Sequence, residues 1–377
     1  MNEMFKRLQE ASARLVLYDN MPDVILTEGG IQLNQYVASC SLGGIACNMT
    51  HDFCKLFHPY YLNCFTYRDR KMLPEATCNL SLSDPRNVIP EDDQPWLMSS
   101  LDNGLSLVVL TGSGMLEKTD GMVAEDLLPG LYDAGGATAG SDGVRVIIHP
   151  HDVLPIPFAE GFDVPPGFTA SLGVRPRRNK RIGPPHGDCI DNDPFLSSSD
   201  FAYRPVVCQQ RCLQQHVLEK CHCYDTSLPL PNIDPLDAPT CRTLDFPLEC
   251  KIAELDTNEQ CIETLLKRYK RVRCAKLHRE RVLMDRAEMQ RCGCRPACKE
   301  LIYDVSFSMS RWPAPGFEGN AVYDDIFNVQ RFRERFKDSE TIRRLFNQTG
   351  DRTKALQDFA RINVYVADPE VGTVHNV

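Results

Sequence analysis

The chain has 377 residues, of which 42% are hydrophobic and 25% are charged, so it is not disordered by composition and can bury a substantial core. A chain of this length is expected to divide into two or more lobes. Its net charge of −9 argues against nucleic acid as a partner.

Hydrophobic spacing predicts the elements in chain order. Residues 2–18 have helical spacing, residues 36–103 are rich in loops and cysteines, and residues 250–292 and 327–346 again have helical spacing. Strand signals separated by Gly and Pro recur at 64–68, 105–111, 144–149, 168–174, 302–309 and 362–366. Because the strands come from distant segments, we expect a central sheet in an α+β fold.

The spacing of the cysteines predicts a ladder of disulfide bonds. If residues 208–223 are helical, Cys208 and Cys212 lie on one face, about 6 Å apart along the axis. Two residues of an extended segment, Cys292 and Cys294, point the same way with a rise of about 6.6 Å. The spacings nearly match, which predicts the pairs Cys208–Cys294 and Cys212–Cys292, with Cys189–Cys298 outside them. Partners for Cys221 and Cys223 would then come from the intervening loop, where Cys241 and Cys250 are available.

A zinc site is the competing interpretation, since His222 lies between Cys221 and Cys223. The cysteine pairs are C-x3-C and C-x-C rather than the two C-x2-C pairs of common structural zinc sites, which favours disulfides. Three N-x-[ST] sequons, at Asn48, Asn79 and Asn347, are compatible with an oxidising, glycosylating route. We therefore expect disulfides and N-glycans, and no cofactor or bound metal.

The chain also lacks the usual signals for export. Residues 1–12 have no apolar core of a secretory signal, and no apolar run approaches the about 18 to 20 residues needed to cross a bilayer. We expect it to be a piece of a longer protein. The 17 cysteines leave at least one without an internal partner, either as a free thiol or because its partner lies beyond a truncated end.

Catalysis has little support in the sequence. There is no Gly-rich phosphate loop, no H-E-x-x-H and no G-x-S-x-G. The cluster at His149, His151 and Asp152 could be read as a metal site, but its place beside a predicted strand and loop favours a structural role. A secreted hydrolase is therefore a weak alternative, and we predict that the protein is not an enzyme.

The order of several motifs resembles a known family. The motifs are 57–67 (FHPYYLNCFTY), 104–107 (GLSL), 144–149 (VRVIIH), 166–168 (PGF), 187–189 (GDC), the cysteine ladder, 294–298 (CRPAC) and 310–313 (SRWP). Together they resemble the extracellular region of the epithelial sodium channel, degenerin and acid-sensing channel family over roughly residues 36–370. The run at 57–67 and the final SRWP are most similar to the epithelial sodium channel and invertebrate degenerin branches.

The resemblance implies one subunit of a homo- or heterotrimeric, sodium-selective channel at the extracellular face of the cell membrane. Two membrane helices flank the ectodomain in this family, and both are missing here, so sodium would permeate through a pore that this chain does not contain. The ectodomain is described as a hand. The expected parts are a finger at 1–103 with one palm strand near 64–70, β-ball and palm strands at 104–188, a disulfide-rich thumb at 189–298, and returning palm strands and knuckle helices at 299–377.

The resemblance also implies a disulfide pattern. It supports the three ladder pairs above and adds Cys40–Cys47, Cys221–Cys250 and Cys223–Cys241. In the family the cysteine equivalent to Cys64 pairs with one on an upstream strand, so the expected partner of Cys64 is missing here. For the remaining cysteines we predict Cys54–Cys78 and Cys261–Cys274.

Candidates for gating follow from the same resemblance. In acid-sensing relatives crowded carboxylates share protons, and Glu125, Asp126, Glu254 and Asp256 fall in comparable segments, although acidic loop residues are usually just solvated. His186 lies near the region that couples ectodomain to pore and could titrate near physiological pH, against the simpler reading of a surface histidine. A peptide or other extracellular ligand could bind around residues 1–100.

The basic run at 175–181 has the spacing that proprotein convertases cut, but we favour a solvated strand edge. The predicted function is therefore an extracellular sensing and gating region that couples a ligand, peptide, proton or force to the pore. The alternative is a soluble, secreted, cysteine-rich ligand-binding protein. Apolar stretches of about 20 residues on both sides in the full reading frame would distinguish the channel from the binder.

Overall fold

The computed structural model describes residues 32–50, 52–58, 62–67, 100–111, 142–151, 153–195, 201–225, 228–229, 238–241, 259–314, 356–368 and 372–376. The fold in these ranges is α+β with a central sheet, as the sequence predicts. The sheet is mostly antiparallel, and the described helices are few. None of the helices in these ranges is both long and apolar enough to span a bilayer. The predicted helices at 2–18 and 327–346 lie outside the described residues.

The described helices and strands have the following bounds. The strands are β1 (Val37–Leu42), β2 (Ile45–Ala46), β3 (Phe53–His58), β4 (Leu62–Tyr67), β5 (Leu105–Leu110), β6 (Val144–Val146), β7 (Phe162–Val164), β8 (Phe168–Arg181), β9 (Lys299–Arg311), β10 (Phe359–Val366) and β11 (Gly372–Asn376). The α-helices are α1 (Leu33–Tyr36), α2 (Pro157–Glu160), α3 (Pro205–Cys221), α4 (Glu259–Met284) and α5 (Arg286–Arg291). Single 3-10 turns precede β5 and β10, at Leu101–Asn103 and Leu356–Asp358.

Seven strands form one sheet in the order β11-β8-β10-β5-β1-β2, with β9 on the other edge of β8. The pairs β8–β9, β10–β5, β5–β1 and β1–β2 are antiparallel, whereas β10 and β11 run parallel to β8. β10 pairs with residues 169–174 of β8 and β11 with residues 177–181, so these two strands lie end to end along it. β8 is consequently the central element, and the helical part of the chain, α3 to α5, is inserted between β8 and β9.

A proline in the middle of β8 shows how this pairing is arranged. Pro176 is buried and lies opposite Tyr303 of β9, although a proline cannot donate a backbone hydrogen bond to a neighbouring strand. On the β10 side, Pro176 falls between the stretch paired with β10 and the stretch paired with β11. The missing N–H is therefore placed where the ladder is already interrupted.

The main core lies on one face of this sheet and is built from small and β-branched side chains. Ala170 and Leu172 of β8, Ala360 and Ile362 of β10, and Val109 of β5 are almost completely buried in one cluster. Val144 and Val164, from the short antiparallel pair β6–β7, are buried in the same cluster. The sheet and the β6–β7 pair thus share one hydrophobic core.

Residues 36–103, which we predicted to be rich in loops, contain four of the described strands. β1 enters the large sheet beside β5, and Gly43 and Gly44, with φ of 56° and 78°, turn the chain into β2. Two consecutive residues with positive φ match the right-handed twist of a hairpin, and glycine adopts them without steric cost. The strand predicted at 64–68 is found as β4, but it pairs with β3 in a separate two-stranded sheet rather than with the large sheet.

Truncation of Leu172 is expected to destabilise the fold. Its side chain is 0% exposed within the core cluster, so Leu172→Ala should lower the free energy of unfolding by about 2 to 5 kcal/mol. Met309→Ala on the neighbouring strand β9 is the matched control, because it removes the same number of heavy atoms from a side chain that is 48% exposed. Its cost should stay within about 0.5 kcal/mol in urea unfolding. Equal costs for the two variants would contradict this description of the core.

Candidate functional site

The candidate site is the junction at which the helical part of the chain joins the sheet. It begins with α3, which has Pro205 in its first turn and ends at His222 in the left-handed conformation. A proline fits the first turn because a backbone N–H at that position would have no intrahelical acceptor, so nothing is lost without it. α3 buries one face, made by Val207, Cys208, Cys212, Leu213, Gln214, Val217 and Cys221. Three cysteines are thus presented on the packed side of one helix.

Two successive disulfides attach this face to the segment that follows α5. Cys208 bonds to Cys294 and Cys212 to Cys292, each with Cα atoms 5.8 Å apart, in the register that the spacing predicts. The local geometry differs from the prediction, because Cys292 is the residue directly after α5, with helical backbone angles, and is not part of an extended strand. Gly293, with φ of 65°, reverses the chain between the two cysteines. The tight turn therefore places the second sulfur beside the helix.

The third bond of the ladder lies at the end of the sheet. Cys189 bonds to Cys298, which immediately precedes β9, and the Cys298 carbonyl accepts a hydrogen bond from the Arg181 N–H at the end of β8. The Arg181 guanidinium donates to the Ala297 carbonyl at 2.7 Å and forms an ion pair with Glu300 at 3.2 Å. Asp191 accepts hydrogen bonds from the backbone N–H groups of Cys298 and Lys299. Covalent, ionic and backbone contacts thus converge on a few residues.

Buried polar contacts hold the same region onto α3. Arg211 and Asp193 form an ion pair of 2.6 Å with only 12% and 6% of their side chains exposed. The Tyr203 hydroxyl donates to the Arg295 carbonyl at 2.7 Å. Burial, followed by the charge of Asp193, raises the pKa of Tyr203 to about 12, so the phenol remains a donor at any physiological pH.

Arg204, the residue before α3, connects this helix to α2. Arg204 forms a partly buried ion pair with Glu160 of α2, and it also donates to the Leu154 carbonyl at 3.4 Å. Arg145 of β6 pairs with Asp163 of β7 at 2.8 Å and donates to the Pro157 carbonyl. The helical part therefore contacts both the end of the sheet and α2, which Arg145 in turn connects to the β6–β7 pair.

The other end of α3 is bonded to α4, which corrects two predicted pairs. Cys221 bonds to Cys274 rather than to Cys250, and Cys274 consequently does not pair with Cys261. The physical reason is that Val217, Cys221 and Ala275 pack in one buried cluster where the two helices touch. Cys223 bonds to Cys241 and Cys40 to Cys47, the pairs that the family resemblance implies. Cys54 is also disulfide-bonded, whereas its predicted partner Cys78 lies outside the described residues.

Cys64 is a free thiol in β4. Burial raises its pKa to about 12, so the reactive thiolate is scarce at neutral pH. Only one group of at least three metal-ligating side chains, Cys221, Cys274 and His278, clusters within 4.8 Å among the described residues. Because both of its sulfurs belong to a disulfide, this group is not a thiolate metal site in the oxidised chain.

The structure places the remaining predicted residues as follows. His186 is exposed in a tight turn closed by the Gly187 N–H and the Gly183 carbonyl, and Gly183 lies over the Cys189–Cys298 bond. A Cβ atom at Gly187 would lie 1.8 Å from the Ile182 carbonyl oxygen, so the turn requires glycine there. Asn48 is exposed. The predicted residues outside the described ranges are Asn79, Glu125, Asp126, Glu254, Asp256 and Asn347.

The basic run at 175–181 is internal to the sheet, not a strand edge. Its residues pair with β9 on one side, and from Arg177 onward with β11 on the other. Arg177 makes two hydrogen bonds to Asp304, which raise the pKa of its guanidinium. A protease that must bind an unpaired, extended segment cannot reach this run in the folded chain.

Sequence reasoning missed the polar residues of the junction. Arg181, Asp191, Asp193 and Arg211 have no motif of their own, and their partners are up to 119 residues away in the chain. Their only signal is position, since Arg181 and Asp191 flank Cys189 and Arg211 precedes Cys212. Contacts between residues so far apart in the chain depend on how the disulfide ladder brings the segments together, and the local sequence pattern does not predict them.

The chain is similar to the proteins of one known family. The model of the amiloride-sensitive sodium channel family matches residues 2–375. The FMRFamide-activated amiloride-sensitive sodium channel of Cornu aspersum is 25% identical over 304 residues, which cover 79% of this chain and 43% of that protein. Degenerin-like protein asic-1 of Caenorhabditis elegans is 28% identical over 74% of this chain and 26% of its own length. Degenerin mec-4 of Caenorhabditis briggsae is 25% identical over 74% and 28%. The chain thus spans less than half the length of these relatives.

The raised pKa of Tyr203 predicts a pH dependence. Its folded pKa of about 12 lies above the usual value of 10, so the stabilisation is complete below pH 10 and is lost as the pH rises through 12. The phenolate absorbance that Tyr203→Phe removes should therefore titrate near pH 12. Rapid-mixing spectrophotometry of both proteins gives this difference before alkali damages the disulfides. A midpoint near 10 would mean that Tyr203 is not buried against Arg295.

Proposed function

The chain belongs to the amiloride-sensitive sodium channel family, and we propose on that premise that it is the extracellular sensing and gating region of one subunit of a trimeric sodium channel. The family and its named relatives are channels and not enzymes. The subunit would sit in the cell membrane through two helices that flank this region, with two further subunits completing the pore. Sodium would be the permeant ion and not a bound cofactor.

The observation that supports this proposal most strongly is the stiff connection between the helical part and the sheet. Displacement of α3 and α4 by a stimulus can reach a distant gate only if the intervening structure does not absorb it. The ladder bonds join α3 to the segment that becomes β9, and Arg181 joins that segment to β8. At the same place β8 pairs with β11, with Asn376 opposite Arg181. In the proposed subunit a membrane helix follows β11, so β11 passes the displacement to the pore.

The parts of the fold fit the hand-like description of this family. We assign the seven-stranded sheet to the palm, α3 to α5 with their disulfides to the thumb, and the β6–β7 pair together with α2, which Arg145 holds beside it, to the β-ball. The β3–β4 hairpin belongs to the finger. This assignment explains why Arg204 and Glu160 bind across two of these parts, since a thumb that transmits force needs a second contact besides the palm.

We propose three classes of stimulus, which are an amidated peptide, protons and mechanical force. One relative is named as activated by FMRFamide, so an amidated peptide is the first stimulus to test. Protons are the second, through His186 in its exposed turn and the carboxylates Glu125, Asp126, Glu254 and Asp256. Mechanical force would act through the same connection between thumb and palm.

The test is to express the full-length subunit in oocytes and record amiloride-sensitive current during application of acid, amidated peptides, proteases and membrane stretch. Asp191→Asn should reduce the stimulated current several-fold at unchanged surface expression, because the neutral amide binds the Cys298 and Lys299 N–H groups more weakly. Asp188→Asn is the matched control. It removes a carboxylate three residues away whose ion pair with Arg295 is largely exposed, so the current should not change.

Surface biotinylation separates loss of gating from loss of folding. Equal currents in wild type and Asp191→Asn would refute the role of the junction in gating. Absence of any sodium current from the full-length subunit, alone or with related subunits, together with secretion of a soluble product, would favour the cysteine-rich ligand-binding protein instead.

We also propose an N-glycan at Asn48, which would confirm passage through the secretory route. Asn48 is exposed beside the Cys40–Cys47 bond, and its Oδ1 accepts hydrogen bonds from both the N–H and the hydroxyl of Thr50. Asn48→Gln and Thr50→Ala should each remove one glycosidase-sensitive step of gel mobility, whereas Thr50→Ser keeps the hydroxyl and should retain it. Identical mobility of wild type and Asn48→Gln would exclude the glycan.

A further inference from the structure

A groove along α4 is lined in part by Cys274, one of the two cysteines that bond α3 to α4. Its volume is about 310 Å³, and it is lined by Lys270, Arg273, Cys274, Leu277, His278 and Arg281. The spacing of three and four residues places these side chains on one stripe of the helix. The groove is therefore a basic surface with a disulfide in its wall.

The cations of the groove are not neutralised by the described part of the chain. Lys267 pairs with Glu263, and Arg279 pairs with Asp225, but no described carboxylate forms an ion pair with Lys270, Arg273 or Arg281. α4 is also basic as a whole, in a chain whose net charge is −9. Unpaired cations around a concave surface raise the local concentration of small anions.

The two sulfurs of the bond differ in their surroundings. Cys221 is 8% exposed in the cluster between the helices, whereas Cys274 is half-buried and faces the groove. A nitrogen of His278 lies within 4.8 Å of both sulfurs. By contrast, both cysteines of the ladder bond Cys212–Cys292 are at most 5% exposed. An incoming nucleophile can therefore reach Cys274 from solvent, and Cys221 would be the leaving group.

We propose that the Cys221–Cys274 bond is a site of thiol–disulfide exchange with small anionic thiols. The thiolate of the reagent attacks Sγ of Cys274, a new S–S bond forms, and the old bond breaks with its electron pair on Sγ of Cys221. The Cys221 thiolate takes a proton from water. A second thiolate then attacks the reagent sulfur of the mixed disulfide, which releases the oxidised disulfide reagent and leaves two cysteines.

Exchange would break the covalent bond between α3 and α4 while leaving the two helices in contact. The bond closes a loop of 53 residues between α3 and α4, but the Arg279–Asp225 ion pair and the packing of Val282 on Leu213 do not depend on it. The ladder bonds that join α3 to the sheet are also untouched. The product is a chain in which α4 can move relative to α3, a consequence that does not require the channel function.

The experiment uses the full chain, treated with glutathione as the anionic thiol and with cysteamine as the cationic thiol at equal thiolate concentration. Free cysteines are trapped by alkylation at timed intervals and located by peptide mass mapping. The Cys221–Cys274 bond should open faster than Cys212–Cys292, and glutathione should open it about three to ten times faster than cysteamine at low salt. High salt should remove most of this preference.

Charge variants test whether the groove causes the preference. The double variant Lys270→Gln, Arg273→Gln should slow the reaction with glutathione about three- to tenfold and leave the reaction with cysteamine unchanged or faster. Lys276→Gln is the control for each of the single variants Lys270→Gln and Arg273→Gln, which also remove one charge, since Lys276 is exposed on the same helix but does not line the groove. These surface changes should preserve the fold, which circular dichroism checks.

Three results would overturn the proposal. The first is a Cys221–Cys274 bond that opens no faster than Cys212–Cys292. The second is an equal rate with the anionic and the cationic thiol. The third is a double variant with the same rates as Lys276→Gln, which would assign any preference to the overall charge of α4 and not to the groove.

Discussion

The structure depends on the bond between Cys189 and Cys298, because it closes the helical part of the chain at the point where it leaves and re-enters the sheet. The two cysteines are 109 residues apart in sequence, and Cys298 immediately precedes β9. In the chain-entropy model, closing a loop of this size removes about 4 to 5 kcal/mol of unfolded-state entropy. Without that closure β8 and β9 would have to find their register across a long insertion, at the full cost of closing the loop.

The disulfide alone does not set the orientation of the helices. A single covalent bond allows rotation about its torsions, whereas the junction adds directional contacts from Arg181, Asp191 and the Arg211–Asp193 pair. Removing charges from water is costly unless they are paired, so a buried ion pair favours the one arrangement in which its geometry is satisfied. The covalent bonds limit the distance between α3 and the sheet, and the polar contacts select the angle.

The sequence predicts the parts of this fold whose cause is local. A helical repeat of about 5.4 Å and the spacing of two cysteines after α5 are sufficient to identify the ladder. The prediction of a strand at these cysteines was wrong, because Cys292 has helical backbone angles and Gly293 makes a turn. The partner of Cys221 could not be predicted in the same way, since it depends on how α3 crosses α4. β1 was missed because its six residues end in a Gly43–Gly44 turn within a cysteine-rich stretch that has the composition of loops.

Packing explains why some charged residues of α4 are present, but not all of them. Arg279 is partly exposed but pairs with Asp225, whose side chain is only 12% exposed and would otherwise be a buried charge without a partner. Lys270 and Arg273 are exposed and form no ion pair with a described carboxylate, so their charge contributes little to stability, whereas Arg281 in the last turn is favourable at the carboxyl end of the helix. A concentration of unpaired cations on one stripe, within a chain of opposite net charge, is therefore not explained by stability. The proposed exchange site accounts for it, because these cations attract anions to the groove that Cys274 lines.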